Sequence, residues 1–172
     1  MKLKYILIIA LVIILAIGGF YYMKYRKDKI KDEDLVVSNI KSFYITYTNG
    51  YMMNAYTRYQ LTIKDGIYMV EIKPYGVGEE DKLETEVTID LLEEITKILK
   101  KYEVNKWDGF DKTDQGVLDG DSFSFLVSFN NDKSIHASGY MMWPKNYRNV
   151  RDEISTLFMN IYNKEKGIKE DE

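Results

Sequence analysis

The chain has 172 residues, with 15 tyrosines, a single histidine and no cysteine, and a formal net charge of −3. Residues 1–31 hold seven basic groups and one acid, or +6, so residues 32–172 carry −9. An acidic domain without a basic stripe excludes nucleic-acid binding driven by phosphate neutralisation, and the missing cysteine excludes a thioether or palmitoyl anchor.

After the short tail of residues 1–4, Tyr5–Met23 (YILIIALVIILAIGGFYYM) runs for 19 residues without a charge. As a helix it would span roughly 28 Å, the hydrocarbon thickness of a bilayer. Tyr5, Tyr21, Tyr22 and Tyr25 stand at its two ends, where amphipathic rings favour the headgroups. The spacing predicts a transmembrane helix retained as a signal-anchor. The competing reading is a cleaved signal peptide, with Ala16-Ile17-Gly18 as a weak cleavage site. Five basic residues on the C-terminal flank, against Lys2 and Lys4 before the run, lean by count towards a cytoplasmic domain. A two-lysine start before an apolar run is also how a signal-anchor exports the domain behind it. Residues 24–34, KYRKDKIKDED, are charged at nine of eleven positions and predict a solvated linker.

Residues 35–164 then predict one domain. Phe43, Ile45 and Tyr47 alternate with polar neighbours, as a half-buried strand requires. Tyr59, Leu61 and Ile63 climb to Asp65-Gly66, and Tyr68, Val70 and Ile72 return. That dipeptide suits a two-residue turn with positive φ. Residues 84–89 add a short segment. Asp90 opens a helix, with Glu93 completing a capping box, and Leu91, Ile95, Ile98 and Tyr102 form its apolar stripe. Phe123, Phe125, Val127 and Phe129, then Ile135, Ala137 and Gly139, make a second hairpin. A final helix starts near Asn146, its stripe formed by Val150, Ile154, Leu157, Phe158 and Ile161, and residues 165–172 are a frayed tail. The order of strands, helix, two strands and helix predicts an α+β domain. It consists of one antiparallel sheet of four to five strands with both helices on one face, preceded by the N-terminal membrane helix.

Few residues invite chemistry. His136 falls on the polar strand face with Ser134, Ser138 and Tyr140, across from Ser122, Ser124 and Ser128. A histidine base needs an orienting partner and a nucleophile, and no strained G-x-S-x-G turn supplies one. Asp108, Asp111, Asp114, Asp119 and Asp121 crowd into 14 residues. They lack EF-hand spacing, and Asp108-Gly109 and Asp119-Gly120 read equally as turns. Trp107, Phe110, Trp143, Pro144 and Tyr147 either cap the core or line a groove. Tyr44, Tyr56 and Tyr140 on polar strand faces offer an interface-like surface. Phosphate loops, zinc spacings and dinucleotide fingerprints are missing, so no catalytic, cofactor-binding or metal residue is assigned and no cofactor is expected.

Over residues 102–147 the chain resembles a family of uncharacterised proteins from low-GC Gram-positive bacteria. The shared segments are W-[DN]-G-F at Trp107–Phe110, V-L-D-G-D-S-F-S at Val117–Ser124 and A-S-G-Y-x-x-x-P-x-N-Y at Ala137–Tyr147. Many relatives look like lipoproteins; this chain departs from them in having no lipobox cysteine. The resemblance implies an extracytoplasmic placement and carries over no catalytic residue. The expectation is a single-pass, membrane-anchored, non-catalytic binding module at the cell envelope, partnered by the membrane and by another protein. The alternatives are an envelope hydrolase using His136 or the aspartate loop, and a cytoplasm-facing regulatory subunit.

Overall fold

The computed structural model describes residues 30–48 and 55–168, together with Ile14. Apart from Ile14, the segment 5–23 lies outside the described residues, and the expectation of an anchor there lies outside them too. Among the described residues no helix is long and apolar enough to cross a membrane.

The strands are β1 (Ile40–Thr48), β2 (Tyr56–Lys64), β3 (Ile67–Lys73), β4 (Leu83–Val87), β5 (Phe110–Thr113), β6 (Ser122–Phe129) and β7 (Ser134–Tyr140). Two helices join them, α1 (Ile89–Lys101) between β4 and β5 and α2 (Tyr147–Lys166) after β7. All seven strands form one sheet in the order β4-β3-β2-β1-β6-β7-β5. The four-to-five-stranded antiparallel sheet with a preceding membrane helix is therefore corrected, in the described residues, to a seven-stranded mixed sheet without a spanning helix. The mixed character comes from β5, which lies parallel to β7 in the register Phe110↔Ala137 to Thr113↔Tyr140. Its four residues, FDKT, contain a single apolar side chain, too little for a period-2 signal. Its place follows from the long-range pairing and from the packing of Phe110 on Phe123, 6.2 Å between ring centroids.

The central strands follow their alternation. In β1, Phe43 and Ile45 are buried, paired across to Leu61 and Tyr59 on one side and to Val127 and Phe125 on the other. A bulge between Ile40 and Ser42 shifts the register there, so Ile40 is also buried. The β2–β3 turn places Asp65 and Gly66 at φ 52° and 80°, the left-handed values a primed hairpin turn demands. Both helices bury their stripes against this core. Phe158 of α2 stacks on Tyr59 at 4.9 Å and on Phe43 at 6.1 Å, and Phe125 meets Phe43 edge-on at 5.7 Å. The capping-box expectation is corrected as well. Helix α1 begins at Ile89 with Thr88 as N-cap, and the Thr88 hydroxyl donates to the Asp90 carboxylate at 3.0 Å rather than accepting from the backbone. The packed unit takes in Ile30 and Leu35, both buried, and Asp34 pairs with Lys133 of the β6–β7 turn at 3.5 Å.

On the sheet face away from the helices, one corner is tied by charge. Arg58 of β2 pairs with Glu71 of β3 and with Glu79 at 2.9 Å. Lys82 bridges Glu71 and Glu84, each at 2.8 Å. Lys73, buried despite its charge, donates to the Tyr56 carbonyl at 3.2 Å and lies 3.9 Å from the centre of the Tyr56 ring. The Tyr56 hydroxyl in turn donates to Glu79. This pins the β3–β4 connection across β2, and Tyr56 serves that clasp rather than a free sticky face.

Candidate functional site

The sequence-derived candidates separate in space. His136 is exposed on β7, opposite Leu126, and its imidazole makes no hydrogen bond among the described residues. Its backbone N–H donates to Asp108 at 3.3 Å. Ser138 donates to Asp111 at 2.7 Å, Asp114 accepts the Gly116 N–H at 2.9 Å in a local turn, and Asp119 is exposed. Among the described residues no three of His, Asp and Glu come together as a metal-holding group. Asp108 and Asp111 thus tie the start of β5 to β7, and Asp114 forms a local turn in the β5–β6 connection. Tyr140 is held by donation to the Leu118 carbonyl at 2.8 Å.

The aromatic group behaves differently: the fold gathers it. Trp107, buried, lies edge-on to Phe125 at 5.1 Å and donates its indole N–H to the Lys145 carbonyl at 3.0 Å. Trp143 stacks on Tyr147 at 4.8 Å, and Tyr147 lies 4.5 Å from Phe123. The capping and groove-lining readings are both served, because the same rings close the core and floor a cleft.

That cleft opens where β1 ends, β6 begins and α2 starts. It has two lobes, of about 420 Å³ and about 310 Å³. Tyr47, Thr48, Asp121 and Arg151 line both lobes, with Arg151 lying over the Tyr47 ring at 5.8 Å. The larger lobe reaches Tyr59, Pro74, Tyr75, Ser155 and Met159; the smaller reaches Ser122, Met141, Trp143, Tyr147 and Arg148. Thr48 and Ser122 share a hydroxyl–hydroxyl hydrogen bond of 2.7 Å. Met141, held at φ 54°, pins the rim: its N–H donates to the Asp121 carbonyl at 2.9 Å, and its thioether accepts the Asp121 N–H at 3.2 Å.

Two buried phenols flank the cleft. Tyr59 shares a hydrogen bond of 3.0 Å with Ser155. The Tyr147 residue is 3% exposed, and its hydroxyl has no hydrogen-bond partner among the described residues. Burial pushes the Tyr147 phenol above its ordinary range against the opposing pull of Arg151; the other charges bearing on it include Asp121, also a cleft residue. Burial likewise raises Tyr59, helped by Tyr47. Arg148 is exposed and has no ion-pair partner among the described residues, whereas Arg151 holds Asp152 at 2.7 Å.

Tyr47, Arg148 and Arg151 were not singled out from the sequence. One legible signal was there: α2 opens with two arginines three residues apart and no acid in its first turn, the reverse of what the helix dipole favours. At the other end of the sheet a wider groove of about 830 Å³ is lined half by aliphatic side chains such as Val36, Ile40, Ile63 and Ile89 and half by others such as Lys41, Tyr68 and Glu93. None of the unpartnered buried polar atoms lies on its walls. The cleft beside α2, with polar groups converging over an aromatic floor, is the better candidate for a ligand site. Neither a protein-family model nor a curated protein sequence matches the chain.

Proposed function

We propose that this chain is a membrane-held, non-catalytic binding module whose ligand occupies the cleft between the β1 end and the start of α2. The observation that carries the reading is the buried Tyr147 hydroxyl. A buried polar group without a partner costs about 1–3 kcal/mol, and such groups in native proteins are met by protein, ordered water or ligand. A ligand in the smaller lobe would meet it. The placement at a membrane, with the domain outside, rests on the uncharged run Tyr5–Met23 and on the resemblance of residues 102–147 to envelope proteins.

The test for binding is a thermal-shift screen of the full-length chain in nanodiscs. A ligand at a hundred times its Kd stabilises by about 2.7 kcal/mol, a readily resolved shift. Its effect must shrink in Tyr147→Phe; a stabilising ligand that ignores this substitution binds elsewhere and contradicts the assignment. The placement is tested by adding protease to intact protoplasts. Digestion of the domain is the expected result, and a protected domain contradicts it.

A further inference from the structure

The charges beside the unpaired hydroxyl specify what the cleft recognises. Helix α2 spans 20 residues and presents its positive end here. Tyr147 N–H reaches back to the Pro144 carbonyl and Val150 N–H to Asn146, so the first-turn amides of Arg148 and Asn149 have no helical acceptor. Free amides at a helix start favour an anion. Arg148 and Arg151 stand at that same end, where a cation is unfavourable unless an anion joins it. Arg151 is part-compensated by Asp152, and the Asp121 carboxylate also lines the lobe, whereas Arg148 has no ion-pair partner among the described residues. The buried Tyr147 hydroxyl, on a residue that lines the smaller lobe and with Arg151 bearing on it, adds an independent donor.

The rest of the lobe limits the ligand's body. About 310 Å³ holds a small organic molecule rather than a bare ion. Trp143 offers a ring wall, and the Thr48 and Ser122 hydroxyls offer adaptable polar contacts. We infer that the cleft takes a phosphate ester of a small polyol, its phosphate held by Arg148, Arg151 and the Tyr147 hydroxyl and its body lying against Trp143. This rests on the proposed binding function of the same cleft.

Phosphate of this kind has two sources, a soluble ester or a lipid headgroup. The cleft lies at the Thr48 end of β1, roughly 26 Å along the strand from Ile40 at about 3.3 Å per residue. Asp34, the last residue of the charged segment 24–34 in the sequence, pairs with Lys133 at the opposite end of the sheet. That separation favours the soluble ester.

The experiment uses the full-length chain in phosphatidylcholine nanodiscs with its two tryptophans labelled at the indole nitrogen, the Trp143 signal being assigned with Trp143→Phe. Glycerol 1-phosphate is titrated, with inorganic phosphate and neutral glycerol as comparisons. The expected result is a saturable shift of the Trp143 signal with glycerol 1-phosphate and a weaker one with inorganic phosphate; glycerol gives none. Arg148→Gln, on an exposed side chain, weakens binding about tenfold or more, since a charge-assisted contact is lost. Tyr147→Phe weakens it several-fold without lowering the melting temperature. A response to the ester that is undiminished in Arg148→Gln overturns the phosphate assignment. A saturable response to glycerol alone overturns it too, but leaves the cleft reading standing. A Trp143 signal already displaced in phosphatidylglycerol nanodiscs, with no ester added, overturns the soluble source. No response to any probe overturns the phosphate assignment; a Tyr147 hydroxyl found bonded to another protein group removes the binding reading beneath it.

Discussion

Two buried tyrosines give the sharpest test, because the same substitution should act on them with opposite sign. Tyr59 and Tyr147 are 2% and 3% exposed. The Tyr59 hydroxyl is bonded to Ser155 at 3.0 Å; the Tyr147 hydroxyl has no partner among the described residues. Replacing either by phenylalanine keeps the ring stacks, Tyr59 on Phe158 and Tyr147 on Trp143. Only the hydroxyl is removed. In Tyr59→Phe a satisfied hydrogen bond is lost and the half-buried Ser155 oxygen is left to water, a cost of about 0.5–1.5 kcal/mol. In Tyr147→Phe the desolvation penalty of an unpaired group is relieved, a gain of about 1 kcal/mol in the empty protein. For a unit of this size each kcal/mol moves the midpoint by about 3–5 °C. Near-UV circular dichroism melts of ligand-free full-length protein should therefore place Tyr147→Phe above wild type and Tyr59→Phe below it. A fall of more than about 1 kcal/mol in Tyr147→Phe would refute the reasoning, since it would reveal a partner for the hydroxyl within the protein.

The same two phenols set an alkaline limit. Both are raised by burial, so the stability they contribute is complete below the ordinary tyrosine pKa of about 10 and is lost as pH climbs through their higher folded values. Absorbance at 295 nm should show these two ionising only together with unfolding; a smooth titration of all 15 tyrosines in folded protein would contradict it. Phe158→Ala empties the space between Phe43 and Tyr59 and should cost about 3–5 kcal/mol by chemical denaturation; a loss under 1 kcal/mol would mean that α2 does not pack there. A Cβ added at Gly139 would lie 2.6 Å from the Phe123 ring and press on the Met142 carbonyl. Gly139→Ala should accordingly cost about 1–3 kcal/mol, and an unchanged melt would show that the floor beneath Trp143 is looser than described.

The parts of the fold legible in the sequence were those where local pattern and tertiary demand agree. Phe123, Phe125, Val127 and Phe129 alternate because β6 is central and one face is buried. Asp65-Gly66 declares its turn through backbone geometry alone. Strand β5 was hidden because it is made by its neighbour: FDKT has no apolar alternation, and a parallel edge pairing with β7 is a long-range fact. Its Asp111, taken with the aspartate cluster, is a strand residue that accepts from Ser138. At α1, Asp90 and Glu93 have the capping-box spacing, yet Thr88 holds the cap position two residues earlier than that pattern suggests. The cleft was the least visible feature. Tyr47 and Arg151 come from positions over a hundred residues apart and meet only when α2 lies across β1. The aromatic residues Trp107 to Tyr147 were recognisable as a group, but the sequence left open which of them packs and which faces a ligand. In the structure Trp143 and Tyr147 stack on one another and also line the cleft.

The central claim is that a small phosphate ester sits against Trp143 and Tyr147. Saturation-transfer NMR addresses it directly, by irradiating the protein's aromatic protons and observing the carbon-bound protons of glycerol 1-phosphate. Magnetisation should reach the ester in wild type and fade in Arg148→Gln. Ester protons that receive none at millimolar concentration, or equally in both proteins, would contradict the account.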